Sequence, residues 1–254
     1  VLVGAAAATL VIAVVFAFLV YVLLASGDAD YWAGDIAEFE RLDVSNPPDT
    51  GQIVFAGGGT IRQWDGLEQA LAPLPVLKRG FGGAHVAHVT AYAPRIILPY
   101  EPLAVVISAG ADDLADVGGK PPDQVEADMA ELVALLRPQG LAANADPQVY
   151  VLSITPAPMR AARWPAFAQA NDQLSALASA TPGVHFIDVA SLLINDQAQI
   201  DESLYRWDGL TFNEEGYAVI GRAIRQRLMR DLASRLRTAP PPPGAVIDQQ
   251  VPAP

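Results

Sequence analysis

The chain has 254 residues, 52% hydrophobic and 17% charged, which is enough apolar material for one domain with a sizeable core and too much for a disordered chain. Its 28 acidic side chains against 16 basic ones leave a net charge of −12, which repels phosphate backbones, so nucleic acid is not an expected partner. With no cysteine, disulfides, thiolate nucleophiles and thiolate-ligated metals are excluded.

From Val1 to Ala25 there is no charged residue. As a helix this run would span roughly 37 Å, enough to cross the hydrocarbon core of a bilayer. It exceeds the roughly 7–15 apolar residues of a cleavable signal peptide, so residues 1–26 are expected to be a retained single-pass transmembrane anchor with the lipid bilayer as partner. The small residues Gly4 to Ala8 would let this helix pack closely against other membrane-protein subunits. Next, Asp28, Asp30, Asp35, Glu38, Glu40 and Asp43 face a single Arg41. A segment so poor in Lys and Arg is of the kind that translocates, which puts the globular part on the non-cytoplasmic side, periplasmic or extracellular.

Residues 27–50 read as a lead-in to a domain over 51–238. Nearly continuous apolar runs predict strands at Gln52–Ala56, Leu103–Ser108, Gln148–Ile154 and Val184–Asp188. Helical spacing marks Asp123–Leu136, with Asp123 and Glu126 in a capping box. A last helix follows Asn213 as cap, with Tyr217, Ile220, Ile224, Leu228 and Leu232 on one face. Strands alternating with helices imply an α/β fold with a parallel sheet between helical layers and ligands beyond the carboxyl ends of the strands. Residues 239–254, APPPPGAVIDQQVPAP, are a proline-rich tail that cannot pack a core.

The loops after these strands read IVFAGGGTIRQW, RGFGGAHVAHV, VVISAGADDLA and WDGLTFNEEGY, in the order of the SGNH (GDSL-type) hydrolase blocks. The resemblance runs from about Ala37 to Leu232. It implies a flavodoxin-like three-layer sandwich and an ancestry of ester hydrolysis by a serine nucleophile, a glycine and asparagine oxyanion pair, and a late Asp-x-x-His.

At the matching positions the chain departs from that set. Gly59 stands at the nucleophile, Asp112 at the oxyanion asparagine and Thr211 at the histidine; Gly82, Gly83 and the orienting Asp208 remain. Glycine cannot attack, a carboxylate repels an oxyanion, and threonine does not take a proton near neutral pH. No catalytic residue, cofactor or metal site is therefore expected. Thr60 is expected to cap the helix after the first strand. His85 and His88, three apart, could share a face, with Asp112 or Asp113 as further metal ligands, though exposed or satisfied histidines are the plainer reading. Asp113 is expected to brace its loop, Asp112 to meet solvent or an arginine, His185 to be structural, and the four tryptophans to be core or cleft-lining.

The expected function is that of a membrane-anchored pseudoenzyme serving as a structural or accessory subunit of a membrane-protein assembly. The alternatives are a hydrolase of altered mechanism and a module binding envelope glycans or lipids.

Overall fold

The computed structural model describes residues 11–15, 27–116, 118–138, 142, 145, 147–195 and 197–238. Five parallel strands form the sheet: β1 (Ile53–Gly57), β2 (Val76–Gly80), β3 (Ala104–Ser108), β4 (Gln148–Leu152) and β5 (Val184–Ile187), in the order β2-β1-β3-β4-β5. This is the doubly wound, flavodoxin-like order, whose topological switch lies between β1 and β3. Their register pairs Ile53 with Ala104 and Gly57 with Ser108, so both strands end level.

Alternate side chains point to opposite faces, and each face is covered. Val54, Ala56, Val105 and Ile107 pack under α1 (Ala33–Ser45), α4 (Val86–Ile96), α6 (Pro122–Leu136) and α7 (Trp164–Ala180). Ile53, Phe55, Ala104 and Val106 pack under the short α2 (Gly59–Arg62) and α3 (Leu67–Leu71) and the long α8 (Glu214–Thr238). The periodic face of α8 is buried, Tyr217 through Leu232, and Asn213 Oδ1 accepts from the Gly216 N–H at 3.0 Å as a helix cap does.

Several expectations change. The strand β2 is unforeseen because Lys78 and Arg79 interrupt VLKRG; as an edge strand it needs apolar cover on fewer positions, and Arg79 is buried by being paired. The strands at Gln148 and Val184 stop two and one residues early, and those at Gln52 and Leu103 begin one residue late. The helix α6 begins at Pro122, with Pro121 at the cap and no side-chain cap bond, so the Asp123–Glu126 box does not form. Asp123 lies inside the first turn, where its charge still favours the helix dipole.

The lead-in is part of the same core. Trp32 and Ile36 belong to the apolar cluster that covers β1 and β3. Arg79 donates to Asp43 at 2.5 Å and to the Tyr100 hydroxyl at 2.9 and 3.1 Å, Tyr100 donates to Asp43, and Arg79 lies over the Phe39 and Tyr100 rings. Glu40 and Arg95 form a bidentate pair between α1 and α4. The apolar run Val1–Ala25 lies outside the described residues except for 11–15, which are helical with Val11, Ile12, Val14 and Val15 exposed. Among the described residues no helix is long and apolar enough to cross a membrane. The proline-rich tail also lies outside them.

Asp43→Ala leaves a buried guanidinium without its carboxylate. We expect it to cost about 3 kcal/mol, toward the lower end for breaking a buried pair because Asp43 is partly exposed. Urea unfolding of the full chain in detergent, followed by near-ultraviolet signals, measures this.

Candidate functional site: a filled hydrolase cleft

A cleft of about 310 Å³ opens at the carboxyl ends of the strands, at the switch between β1 and β3. The strand β1 closes on Gly57, which has φ +142° and whose missing Cβ would collide with the Ser108 carbonyl of β3. Only glycine lets the two strand ends approach so closely. From there Gly58 turns the chain into α2, so Gly59 is the first helical residue and faces the cleft.

The structure brings Gly59, Gly82, Gly83, Asp112 and Thr211 to the walls of this one cleft, with Asp208 just behind Thr211. A Cβ built on Gly59 would meet the Gln63 side-chain amide at 3.5 Å and the Gly82 carbonyl at 3.9 Å, which is ordinary contact. Position 59 therefore has room for a side chain and carries none. Thr60 does not cap α2. It sits one residue beyond the helix start, past the position from which a hydroxyl reaches the first free N–H groups, and the cap Gly58 makes no side-chain bond.

Opposite Gly59, the Asp208 carboxylate accepts from the N–H groups of Leu210 and Thr211 at 2.9 and 2.8 Å and from the Thr211 hydroxyl at 2.7 Å. Those backbone donors, chiefly Thr211, hold its pKa below the ordinary carboxylate range. Thr211 Oγ1 also lies 2.9 Å from the Gln63 carboxamide. The partner atom is Gln63 Oε1, so the single hydroxyl proton of Thr211 lies between two acceptors, the Asp208 carboxylate and the Gln63 carboxamide oxygen. Asp208, Thr211 and Gln63 thus form a polar chain across the place where a base and nucleophile would meet.

The oxyanion side is filled as well. The Asp112 carboxylate lies 3.4 Å from the Cβ positions of both Gly58 and Gly83, and its Oδ1 accepts from Arg160 at 2.6 Å. Of the two expected surroundings for Asp112, the arginine is the one found. The charge that Arg160 could offer a developing anion is engaged by Asp112. On the far wall, Gly82 has φ +37° and a Cβ there would fall inside the Trp32 ring. Trp32 is carried in by the turn Ala29–Trp32 that precedes α1, so the lead-in supplies one wall of the cleft.

Asp113 braces the neighbouring loop instead of its own. Fully buried, it accepts from the Val86 N–H at 3.0 Å, a free donor at the start of α4, and from Lys120 at 2.8 Å. His85 and His88 do share a face, with rings stacked 4.8 Å apart and nearly parallel. His85 Nε2 pairs with Asp116 at 2.8 Å, and that bond raises its pKa above the ordinary imidazole value. His88 Nδ1 accepts from the His85 N–H, so its Nε2 carries the proton and donates to the Gly27 carbonyl at 3.0 Å; burial holds its pKa down. Among the described residues no three side chains converge as metal ligands. His185, in β5, is structural, stacked on Tyr150 and bonded to Gln148 of β4. Trp207 corrects the expectation for the tryptophans, because it is 98% exposed; the tight turn fixed by Asp208 throws it outward.

Trp32 lines the cleft, one of the two places expected for it, while Gln63 and Arg160 are the site residues that sequence reading missed. Gln63 had a signal, since it stands four residues after Gly59 at the start of a helix and so lies on the same side. Trp32 and Arg160 arrive from distant segments with no motif around them.

The imidazole pair gives a pH prediction. A raised His85 pKa contributes stability that is fully present below about pH 6.5, the unperturbed value, and is lost as pH rises through the folded pKa. Asp116→Asn should therefore destabilise the chain more at low pH than at high pH, and should lower the His85 pKa in a proton NMR titration. A variant effect independent of pH would contradict the pairing.

Residues 47–219 match the sequence model described as the GDSL-like Lipase/Acylhydrolase family, and no curated protein matches the sequence. A Streptococcus pneumonia protein provisionally described as a platelet activating factor superposes with a TM-score of 0.68 at 18% identity, covering 85% of this chain and 99% of its own. A GDSL-like lipase from Bacteroides thetaiotaomicron gives 0.61 at 18%, covering 81% and 98%. A catalytic mutant of an acetylxylan esterase from Geobacillus stearothermophilus gives 0.55 at 17%, covering 71% and 95%. At such identities these likenesses establish the fold alone, a parallel α/β sandwich. The match over more than half of the sequence establishes the lineage: the chain belongs to the GDSL-like lipase/acylhydrolase family, the SGNH hydrolases.

Proposed function

We propose that the chain is a membrane-anchored, catalytically degenerate member of this family that serves as a structural or accessory subunit of a membrane-protein assembly on the non-cytoplasmic side. One observation carries the loss of activity: position 59, first in the helix after β1 and facing the cleft, has no side chain. Breaking a serine-hydrolase triad at one member costs about four to six orders of magnitude, and further losses add little. Here the base position is Thr211, and Asp112 with Arg160 occupies the oxyanion side.

The anchor is supported by the uncharged run Val1–Ala25, whose described part, 11–15, is helical with its aliphatic side chains exposed. The non-cytoplasmic side is supported by the acid-rich residues that follow. An assembly role is supported by the small residues Gly4 to Ala8. A second reading, a module binding an envelope glycan or lipid, is favoured by the open volume that the cleft retains. The esterase named among the structural neighbours suggests the third, hydrolysis by an altered mechanism in which the Asp112/Asp113 pair activates water; against it, Asp112 is paired with Arg160 and Asp113 with Lys120.

Three measurements test the reading. The chain should take up no fluorophosphonate probe, and Gly59→Ser alone should stay inert. Adding Thr211→His and Asp112→Asn to Gly59→Ser should raise ester hydrolysis by at least about a hundredfold, the lower end of what general acid–base catalysis supplies. Covalent labelling of the unaltered chain in the cleft would refute the loss of catalysis. Solubilised from its native membrane in mild detergent, the chain should also bring down stoichiometric membrane proteins; recovery as a bare monomer would refute the assembly role.

A further inference from the structure

The chain reaches the domain at the same edge of the sheet that bears the cleft. Gly27, two residues after the apolar run ends at Ala25, is fixed by its carbonyl to His88 in the first turn of α4. The helix α4 follows β2 and runs back along the sheet, so its first turn lies at the carboxyl ends of the strands. Tyr92 holds the Ala29 carbonyl at 2.9 Å, and Trp32 then enters the cleft wall. Two residues of chain reach at most about 7 Å.

On the opposite rim of the cleft stand three exposed apolar side chains. Leu210 lines the cleft and is 42% exposed, while Trp207 and Met159 are 98% and 69% exposed. They are held as one group, because the Met159 N–H donates to the Gly209 carbonyl at 3.0 Å and both Met159 and Trp207 border the depression beside Gly209. The other edge of the sheet presents the polar Asp49, Thr50 and Glu101 together with exposed Val44 and Leu98, and no tryptophan. Tryptophan is the residue that favours the boundary between headgroups and hydrocarbon.

Resting on the anchor reading of Val1–Ala25, we propose that the cleft-bearing edge lies against the membrane surface, with Trp207, Met159 and Leu210 seated in the lipid headgroup layer. The attachment point determines the choice of occupant. A tether of about 7 Å between the end of a bilayer-spanning run and Gly27 brings this edge, and no other, to the lipid. The charges nearby are of both signs, Asp28, Asp30 and Glu202 against Arg163 and Arg206, which gives anionic headgroups no one-signed patch to hold, so the contact is with zwitterionic lipid and is apolar in origin. The cleft then opens toward the membrane and not toward bulk water.

The absence of native cysteine permits single nitroxide labels on the full chain in phosphatidylcholine bilayers. Labels at Ile12→Cys, Met159→Cys and Asp49→Cys report the anchor, the rim and the far edge. We expect the ratio of oxygen to nickel-chelate collisions to be several-fold higher at 12 and 159 than at 49, and Trp207→Ala to lower it at 159. A lipid signal at 12 with a water signal at 159 overturns this proposal and leaves the anchor standing. A water signal at 12 overturns the anchor, and the proposal falls with it. Shielding of 159 from both reagents, showing protein cover by a partner or a second copy, also overturns it.

Discussion

Five parallel strands covered on both faces leave one place where the polypeptide must part, and that is the end of β1 beside β3. Helices leaving β1 and β3 go to opposite faces of the sheet, so the crevice follows from the strand order and needs no catalytic residue to maintain it. Gly57 makes the parting sharp by letting the β1 end press on the Ser108 carbonyl. The fold therefore keeps its cleft whatever side chains line it.

What fills the cleft has its own logic. A buried polar group that loses its partner is costly, so removing a catalytic unit leaves debts in hydrogen bonding that other side chains must meet. Asp208, kept from the family pattern, is satisfied by two backbone N–H groups and the Thr211 hydroxyl. Gln63 takes the remaining side of Thr211, and Asp112 is neutralised by Arg160. Each of these polar groups is thus satisfied locally, as a well-packed domain requires.

Much of this was legible in the sequence. The central strands were visible because burial on both faces makes them continuous apolar runs, and α8 because its apolar residues repeat at helical spacing. The positions of Gly59, Asp112, Asp208 and Thr211 followed from their blocks, since the blocks are the loops that the fold gathers at one edge. The edge strand β2 was hidden by Lys78 and Arg79, whose charges mask stems that pack. Arg160 could not be read at all, and Trp32 only as a tryptophan bound for the core or the cleft wall, because contacts between segments far apart in the chain leave no local period.

The docking of α1 has a mechanical meaning. From Gly27 to Asp43 the polypeptide is fastened to the sheet and α4 by His88, Tyr92, Arg95 and Arg79 in turn, two before α1 and two in its second half. A single fastening would act as a hinge, but four in a row act as a splint. A pull or twist applied at residue 27 is delivered to the sheet as rotation of the entire body, so the domain is mounted like a blade on a handle and not like a weight on a string.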